Sequence, residues 1–590
     1  MRVNFREATM HKWMRAFATL TTAMICVGCS DIETGPNISG VDVMSISEVR
    51  VQPSTDSIFI ADTVRVTDRL QLRGVAIGRS GADLSVDRFV WHSSDVTVAT
   101  VDSFGVVTPV RPGSVEISAS AYRVGRATVV VLPEVRSVTL TAPATQALDG
   151  DTIQLLARAF GYDSKPITRR FLWSSGTPSV ATVDSTGRVV FVSAGAVTIA
   201  VSTGGKSANI LLSALAQELL SVDAGGDFGC GIATRGRSFC WGLGHLGQLG
   251  SVADSSCYGD RPTSNDQCAI APKRMEVSGL QWSSASTGED FGCGIVQQQL
   301  YCWGNDAAGQ LGDGRTAPRS TPQLATVGNE RFTILTAGSQ HACTLNLTGL
   351  AYCWGKDSTG QLGDNRRINS STPIPVVGTD GLANSALRFS AISAGVGHTC
   401  AVQVGGRVFC WGDASRGALG NATRVTSEVP LAINSAETFA SVSAGGSHTC
   451  GLTTAGAVYC WGNNASGQIG VNPTGVDFLS PVFVGSGYTS ISAGDNFTCA
   501  IASGRSVQCW GSNAFGQLAR GEGNPSGISA TPQGISSGLS FNSVSAGRRH
   551  ACAVATSGGT WCWGSNIYGA LGNSLQAAVR SVPERIARLR

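Results

Sequence analysis

A pattern of about thirty residues occurs seven times in the C-terminal part of this chain, and it limits what the chain can fold into. Its clearest copy spans residues 443–470 and reads SAGGSHTCGLTTAGAVYCWGNNASGQIG. In every copy two cysteines flank a short turn and Trp-Gly follows the second cysteine directly. A tetrad of the Gly-Gln-Leu-Gly type closes the unit. Such a chain is built from copies of one small element.

The repeated unit predicts β-structure. Short apolar runs separated by Gly-rich turns are typical of strands, and no helical periodicity interrupts them. The copies follow each other at intervals of about 50 to 63 residues, which is the period of a propeller blade or a similar array. We therefore expect an all-β fold in which each copy supplies one small antiparallel sheet.

The cysteines of each copy are predicted to lie opposite each other on a hairpin. Between Cys450 and Cys460 a three-residue loop, 454–456, brings the two positions into register and places Gly456 third, where such loops need a left-handed residue. The second copy is one residue shorter, and a two-residue turn at Gln297-Gln298 restores the register. The sixth copy departs from the pattern, with Gly504 in the middle of its loop.

A cross-strand disulfide in every hairpin is the interpretation we favour. Reduced cysteines packed as small apolar side chains are the alternative, and zinc binding fits less well because no short Cys-x-x-Cys spacing occurs. An even number of thiols indicates an oxidising compartment. The expected pairs are Cys230 with Cys240, Cys293 with Cys302, Cys343 with Cys353, Cys400 with Cys410, Cys450 with Cys460, Cys499 with Cys509 and Cys552 with Cys562, and in an insertion of the first copy Cys257 with Cys268.

The run S-A-G-x-x-H-x-C … C-W-G-x-N-x-x-G-Q-L-G resembles the repeat of the regulator-of-chromosome-condensation family. The resemblance covers about residues 218–590. It implies a seven-bladed β-propeller, and it implies that loops on one propeller face bind other proteins. Closure of such a ring is expected to involve residues 219–225 together with residues 583–586.

Two further segments, 45–132 and 135–213, are copies of each other. WHSSDVTVATVDSFG begins at Trp91 and WSSGTPSVATVDSTG begins at Trp173. Both alternate apolar and polar residues, which predicts two antiparallel sandwiches. Trp-x-Ser-Ser and Val-Ala-Thr-Val-Asp resemble the group 2 bacterial immunoglobulin-like domain. That resemblance implies either a stalk that holds the propeller outward or adhesion modules.

The first 28 residues have the pattern of a secretory signal. Basic residues precede an apolar run at 16–27 that is too short for a stable membrane span. The ending Cys-Val-Gly-Cys resembles the bacterial lipoprotein box, although Cys26 stands where Leu is usual. The resemblance implies lipidation of Cys29 and an outer-membrane or cell-surface location; ordinary cleavage and secretion is the alternative. The polar composition of residues 29–44, with Gly and Pro, is typical of a tether.

The charge balance argues against nucleic acid as a partner. The formal net charge is +3, but residues 1–28 hold four Lys or Arg and one Glu, so the remaining chain is neutral. A protein that binds phosphate backbones is normally basic.

The repeat offers no catalytic set and no cofactor site. The position two residues before the first cysteine is His in four copies (His341, His398, His448, His550) and Phe in three (Phe228, Phe291, Phe497). A ring of histidines could hold a metal, but the exchange with Phe favours a structural role. The Gln of the tetrad is likewise replaced by Ala418 and Ala570. We expect no cofactor and no metal.

Candidate binding residues lie where copies differ. Tyr258, Asp260 and Arg261 form the tip of the insertion at 251–273, and Arg548-Arg549 precede His550 where other copies have small or polar residues. The predicted function is a surface-anchored, non-enzymatic scaffold that binds a protein or peptide. Carbohydrate binding or adhesion at the cell envelope is the alternative, and a propeller hydrolase or lyase is a third hypothesis.

Overall fold

A computed structural model describes residues 46–60, 69–161, 164–257, 266–275, 280–379, 387–521, 527–576 and 579–589. In those ranges the chain is all-β, with one short 3-10 turn at Thr234–Gly236. No helix in the described ranges is long and apolar enough to cross a membrane. The described residues divide into two compact units, one formed by those up to 147 together with residues 151–214, and the other by residues 148–150 together with those from 215 onward.

The first unit contains two copies of one sandwich. The strands of the first copy are β1 (Ile46–Gln52), β2 (Thr55–Ile60), β3 (Leu70–Gln71), β4 (Arg73–Gly78), β5 (Asp83–Leu84), β6 (Val90–Ser93), β7 (Ala99–Val101), β8 (Val106–Pro109), β9 (Gly113–Ala121) and β10 (Arg123–Pro133). The strands of the second copy are β11 (Ser137–Thr141), β12 (Gln146–Leu148), β13 (Thr152–Gln154), β14 (Leu156–Phe160), β15 (Pro166–Ile167), β16 (Leu172–Ser175), β17 (Ala181–Val183), β18 (Arg188–Phe191), β19 (Gly195–Thr203) and β20 (Lys206–Leu215).

The two copies have the same sheet orders. Sheets β1-β4-β5, β2-β10-β9-β6 and β3-β8-β7 of the first copy correspond to β11-β14-β15, β12-β20-β19-β16 and β13-β18-β17 of the second. Alternate residues of β9 and β10 are buried, as the period of two requires. The internal duplication of the sequence is therefore a duplication of structure.

The tryptophan of each sandwich covers a glycine turn. Gly105 has a φ of 82°, and a Cβ there would lie 2.7 Å from the ring of Trp91. In the second copy Gly187 has a φ of 84° and meets Trp173 in the same way. Both the positive φ and the close ring require glycine. The aromatic ring thus packs on a backbone turn, whereas antibody domains pack it on a disulfide.

The second unit consists of successive antiparallel sheets, seven in the described residues. Their strands are β21 (Leu219–Ala224), β22 (Phe228–Ala233), β23 (Arg237–Leu243), β24 (Ser255–Cys257) and β25 (Asp266–Arg274); β26 (Trp282–Thr287), β27 (Phe291–Val296), β28 (Gln299–Gly304) and β29 (Arg319–Leu324); β30 (Phe332–Ala337), β31 (His341–Asn346), β32 (Ala351–Gly355) and β33 (Ser370–Pro375); β34 (Phe389–Ala394), β35 (His398–Gln403), β36 (Val408–Gly412) and β37 (Ser427–Ala432); β38 (Phe439–Ala444), β39 (His448–Thr453), β40 (Ala457–Gly462) and β41 (Phe478–Ser486); β42 (Tyr488–Ala493), β43 (Phe497–Ala502), β44 (Val507–Ser512) and β45 (Ile528–Gly534); β46 (Phe541–Ala546), β47 (His550–Ala555), β48 (Thr560–Ser565) and β49 (Val579–Arg585).

Each sheet is made from one continuous stretch of chain. The inner strand comes first, followed by the strand with the first cysteine, the Cys-Trp-Gly strand and an outer strand. In the first sheet the insertion adds β24 outside β25. Both terminal strands stay within their own sheets, β21 beside β22 and β49 beside β48. Residues of both ends nevertheless lie together, since Leu219 and Leu589 share a hydrophobic cluster against which Ile586 packs.

The predicted hairpin registers are present. Cys450 lies directly opposite Cys460, with their Cα atoms 4.0 Å apart and their sulfurs bonded. The same holds for the other six hairpins, and Cys257 is bonded to Cys268 in the insertion. In the sixth hairpin the left-handed position falls on Arg505, which has a φ of 63°, and not on Gly504. That hairpin keeps its register although it lacks glycine where the loop needs it.

The indole N–H of each repeat tryptophan connects neighbouring sheets. Trp303 Nε1 donates to the carbonyl of Gln248 at 2.9 Å, and Trp461 Nε1 donates to that of Ala418 at 2.8 Å. Trp241 of the first sheet donates to Ala570 of the last sheet, so the series is closed. The acceptor is a main-chain oxygen, which explains why Ala can replace the tetrad Gln at this contact.

Candidate functional site

The turns after the seven inner strands meet around one opening, which we call the channel mouth. Each turn contributes an Ala-Gly or Thr-Gly pair and one further residue, and together they line a cavity of about 250 Å³. The further residues are Gly226, Glu289, Ser339, Val396, Gly446, Asp495 and Arg548. The mouth is therefore the place where all seven sheets contribute to one surface.

A closed series of main-chain hydrogen bonds holds the mouth. Gly226 N donates to Gly288 O at 3.0 Å, and Arg548 N of the last turn donates to Gly225 O of the first at 3.0 Å. The remaining turns are joined by bonds from Glu289, Ser339, Val396, Gly446 and Asp495 to the following turn.

Glycine is required in this series because the turns approach each other closely. A Cβ at Gly338 would lie 2.2 Å from Gly395 O, and one at Gly547 would lie 2.4 Å from Gly225 O. No side chain fits at such distances. The close packing of neighbouring turns thus explains why the third residue of the Ser-Ala-Gly motif is glycine.

Charged side chains surround one side of the mouth. Arg548 Nη1 lies 3.2 Å from Glu289 Oε1, and Ser339 Oγ donates to Glu289 Oε2 at 2.5 Å. Burial raises the pKa of Asp495, and Arg548 opposes that rise. Burial and the neighbouring Glu289 raise the pKa of Asp290. Acids and Arg548 are therefore placed together at the opening, with Arg548 half exposed.

Arg549, the second arginine predicted as a binding residue, is held within the protein. Its Nη2 lies 2.9 and 3.0 Å from the two carboxylate oxygens of Asp227, and its guanidinium stands 5.0 Å from the centre of the Phe515 ring. An ion pair that is mostly buried and stacked on an aromatic ring positions the turn. Of the two arginines, only Arg548 offers exposed surface to a partner.

The other predicted binding residues, Tyr258, Asp260 and Arg261, lie outside the described residues. The flanking disulfide between Cys257 and Cys268 and the added strand β24 are described, and Ser255 to Cys257 pair with β25. Cys29, the predicted lipidation site, also lies outside the described residues.

The histidines lie between neighbouring sheets. His341 Nε2, His398 Nε2 and His448 Nε2 each lie 2.9 Å from the Oγ1 of a threonine in the next sheet, namely Thr399, Thr449 and Thr498. Each threonine donates its own proton to a main-chain oxygen, so the imidazole is the donor in the His–Thr bond.

Burial lowers the pKa of all four ring histidines. The pKa of His341 and of His448 falls to about 3, and that of His398 and of His550 to about 4. No group of three metal-ligating side chains occurs among the residues that the structure describes. The geometry supports a structural role for this position, since the neutral rings of His341, His398 and His448 each join two sheets by a hydrogen bond.

A carboxylate placed between the sheets was not anticipated from the sequence. Asp223 stands where other repeats have Ser or Thr; it accepts from Thr287 N at 2.7 Å and from Ser545 Oγ at 2.9 Å. It thereby joins the first sheet to both the second and the last. The signal was present in the sequence, because Asp-Ala-Gly replaces Ser-Ala-Gly only in the first copy.

Comparison with known proteins defines the two kinds of domain. The family model described as an RCC1-like domain matches residues 299–590. The chain carries an RCC1-like domain. The family model for the group 2 bacterial Ig-like domain matches residues 50–131 and 134–209. The resemblances to both families are thereby confirmed, and so is the all-β class.

Curated relatives match over part of the RCC1-like domain. A probable E3 ubiquitin-protein ligase of Homo sapiens, HERC6, is 29% identical over 206 residues, which is 34% of this chain and 19% of the relative. The ultraviolet-B receptor UVR8 of Arabidopsis thaliana is 28% identical over 217 residues, which is 36% of this chain and 46% of the relative. The matched segment therefore spans less than half the length of these relatives.

Solved structures share the fold. Human WBSCR16 aligns with a TM-score of 0.51 at 19% identity, over 60% of this chain and 94% of that one. Yeast RCC1 (Prp20), in a structure bound to Kap60, aligns with a TM-score of 0.52 at 20% identity, over 63% and 85%. The Ig-like domains and the disulfides fit an extracellular or envelope location.

Proposed function

We propose that the protein is a non-enzymatic binding scaffold of the cell envelope whose channel mouth binds a protein or peptide. The observation that carries the proposal is the mouth itself. Seven turns held by main-chain bonds surround one opening, at which Val396 and Arg548 are exposed. The side chains of Glu289, Ser339 and Asp495 are partly exposed there, so three of the five side chains at the opening are charged. A rigid base with variable loops is the usual arrangement of a recognition surface.

The comparisons support a protein partner. Solved relatives of the RCC1-like domain include yeast RCC1 bound to Kap60 and a yeast Prp20p studied for its binding to Gsp1p and histones. The ligase names of HERC5 and HERC6 describe proteins of which this segment matches about a fifth, so we do not extend ligase activity to this chain. Nucleic acid remains unfavourable on charge grounds.

Two exposed valines of one sheet allow a matched test. Val396 lies at the channel mouth and is 48% exposed, whereas Val404 lies in the β35–β36 hairpin turn at the opposite end of the same sheet and is 65% exposed. A photo-crosslinking amino acid is placed at each position in the full chain. We expect adducts with one protein, formed in the native envelope, from position 396 and not from position 404.

Equal labelling from both positions, or from neither, contradicts the choice of face. Carbohydrate binding is the second candidate. A glycan array with arginine variants at the same two positions distinguishes it from protein binding. Saturable glycan binding that Val396→Arg abolishes and Val404→Arg preserves would replace the protein partner by a sugar.

We further propose that Cys29 carries lipid and that residues 29–44 tether the domains to the envelope. The Ig-like domains would then hold the RCC1-like domain away from the lipid surface, with adhesion as their alternative role. Cys29→Ser should move the protein from the membrane fraction to the soluble fraction and abolish incorporation of a labelled fatty acid. Labelling that persists in the variant contradicts this anchor.

A further inference from the structure

The contacts between neighbouring sheets follow a pairing rule. A ring histidine is met by threonine from the next sheet, as in His341 with Thr399. A ring phenylalanine is followed by a small residue at that position, as in Phe291 with Ala342 and Phe497 with Ala551, which share hydrophobic clusters. Phe228 follows the same rule, because the strand registers place Gly292 at the corresponding position of the second sheet. An imidazole thus meets a hydroxyl, and a phenyl ring meets a residue small enough to leave room for it.

The contact between the last sheet and the first breaks this rule. His550 is fully buried, and the corresponding residue of the first sheet is Gly229. Neither ring nitrogen of His550 has a hydrogen-bond partner within the described residues, whereas the Nε2 atoms of His341, His398 and His448 are all bonded. A buried polar group without a hydrogen-bond partner destabilises the folded protein.

A main-chain acceptor is present at this contact. Where threonine is present, its hydroxyl lies between the imidazole and a carbonyl of the preceding tetrad, for example Gln361 O, which also accepts from a tryptophan. The corresponding carbonyl here is Ala570 O, which accepts from Trp241 Nε1 at 2.9 Å. A donor and an acceptor therefore flank the position that a hydroxyl occupies at the other histidine contacts.

We propose that a water molecule binds between His550 and Ala570 O and takes the place of the missing threonine hydroxyl. Its oxygen accepts from the imidazole N–H and one of its hydrogens is donated to the carbonyl. Buried waters are held by two to four polar groups of this kind. Gly229 leaves room because it lacks the three side-chain heavy atoms that threonine carries at the equivalent position.

The proposal is tested by NMR on the full chain labelled with ¹⁵N at histidine. The chain has seven histidines, and His550→Phe identifies the resonance of interest. We expect the ring N–H of His550 to show a cross-relaxation peak to a long-lived water. The ring N–H groups of His341, His398 and His448 should show contacts to threonine protons and none to water.

Gly229→Thr supplies the control that removes the water. Gly229 has no positive φ, so a side chain is compatible with its backbone, and its Cβ would lie 3.1 Å from Trp241. The new hydroxyl should replace the water, so the water peak of His550 should disappear and a threonine contact should appear. Gly229→Ser provides the same hydroxyl with less bulk if the threonine variant does not fold.

Gly292→Thr is the matched variant at a phenylalanine contact. It places a hydroxyl beside Phe228, where no imidazole is present, and should lower the melting temperature while leaving the water peak of His550 unchanged. A His550 ring N–H without a water peak overturns the proposal, as does a peak that persists after Gly229→Thr or Gly229→Ser.

Discussion

At the scale of single residues, the structure explains substitutions that the sequence showed only as exchanges. At six of the seven contacts between sheets, His faces Thr and Phe faces a small residue, and His550 opposite Gly229 is the exception. The tetrad Gln uses its side chain locally, as when Gln361 Oε1 accepts from Thr359 N, while its carbonyl joins two sheets. Replacement by Ala removes only the local bond.

A double substitution tests the pairing rule. His398→Phe alone should destabilise the RCC1-like domain by about 1–2 kcal/mol, because a carbon would replace the nitrogen that lies 2.9 Å from Thr449 Oγ1. Adding Thr449→Ala recreates the Phe–Ala pair and should recover most of the loss. Chemical denaturation of the two single variants and the double variant measures the coupling. Additive effects would contradict the rule.

The same double variant should reduce sensitivity to acid. The pKa of His398 is lowered to about 4 in the folded protein by burial, so this histidine contributes stability above pH 6.5 that is lost as the pH falls towards 4. Without the histidine, the melting temperature should fall less steeply between pH 6.5 and 4. Thermal unfolding across this range gives the comparison, with Val404→Ala as a control that leaves the slope unchanged.

A carboxyl pair in the third sheet should act in the opposite direction. Burial raises the pKa of Asp357 to about 7, and the nearby Asp364 adds to the rise. The corresponding stability is present below pH 4 and is lost as the pH rises towards 7. Asp364→Asn should flatten that loss, because it removes the neighbouring charge while its amide oxygen can still accept from Arg366 N. Melting temperatures of the unaltered protein and the variant at pH 5 and pH 8 measure this loss. A drop between the two pH values that is the same in both proteins contradicts the prediction.

At the scale of elements, the hairpin is the unit that the sequence specified best. The spacing of the cysteines predicted both their register and the two-residue turn at Gln297-Gln298, where Val296 pairs with Gln299. The repeat predicted the existence and type of the strands for the same reason. It could not predict how sheets contact each other, because those contacts join residues about fifty positions apart and run through main-chain atoms. It also could not show that Arg549 would be paired with Asp227.

The sixth hairpin offers a stabilising change. Arg505 occupies the left-handed loop position at a φ of 63°, where glycine has no steric penalty. Arg505→Gly should therefore raise the free energy of unfolding by roughly 0.5–1 kcal/mol, despite the loss of an exposed hydrogen bond to Asn542. Gly456→Arg, the reverse change in the fifth hairpin, should lower it by a similar amount. Urea denaturation of both variants gives the sign of the change in the free energy of unfolding. Stabilisation by Gly456→Arg would refute the assignment of a left-handed loop position.

At the scale of the whole RCC1-like domain, the first and last sheets meet without exchanging strands. Their contact consists of Trp241 with Ala570 O, Asp223 with Ser545, and a hydrophobic cluster that includes Leu219 and Leu589. We expect deletion of residues 580–590 to lower the melting temperature of the entire domain, because it removes β49 and part of this cluster. Calorimetry measures the melting temperature. A transition at the original temperature would show that the contact between the first and last sheets contributes little to stability.

The main-chain bonds at the channel mouth have an evolutionary consequence. Since amide and carbonyl groups do the joining, the five flanking side chains can be replaced without removing a main-chain bond between the turns. Gly226 and Gly446 are excluded, because a Cβ there would lie 2.3 or 2.2 Å from the next turn. The mouth can thus acquire a new binding specificity one codon at a time, and the natural positions to randomise when a new ligand is sought are Glu289, Ser339, Val396, Asp495 and Arg548.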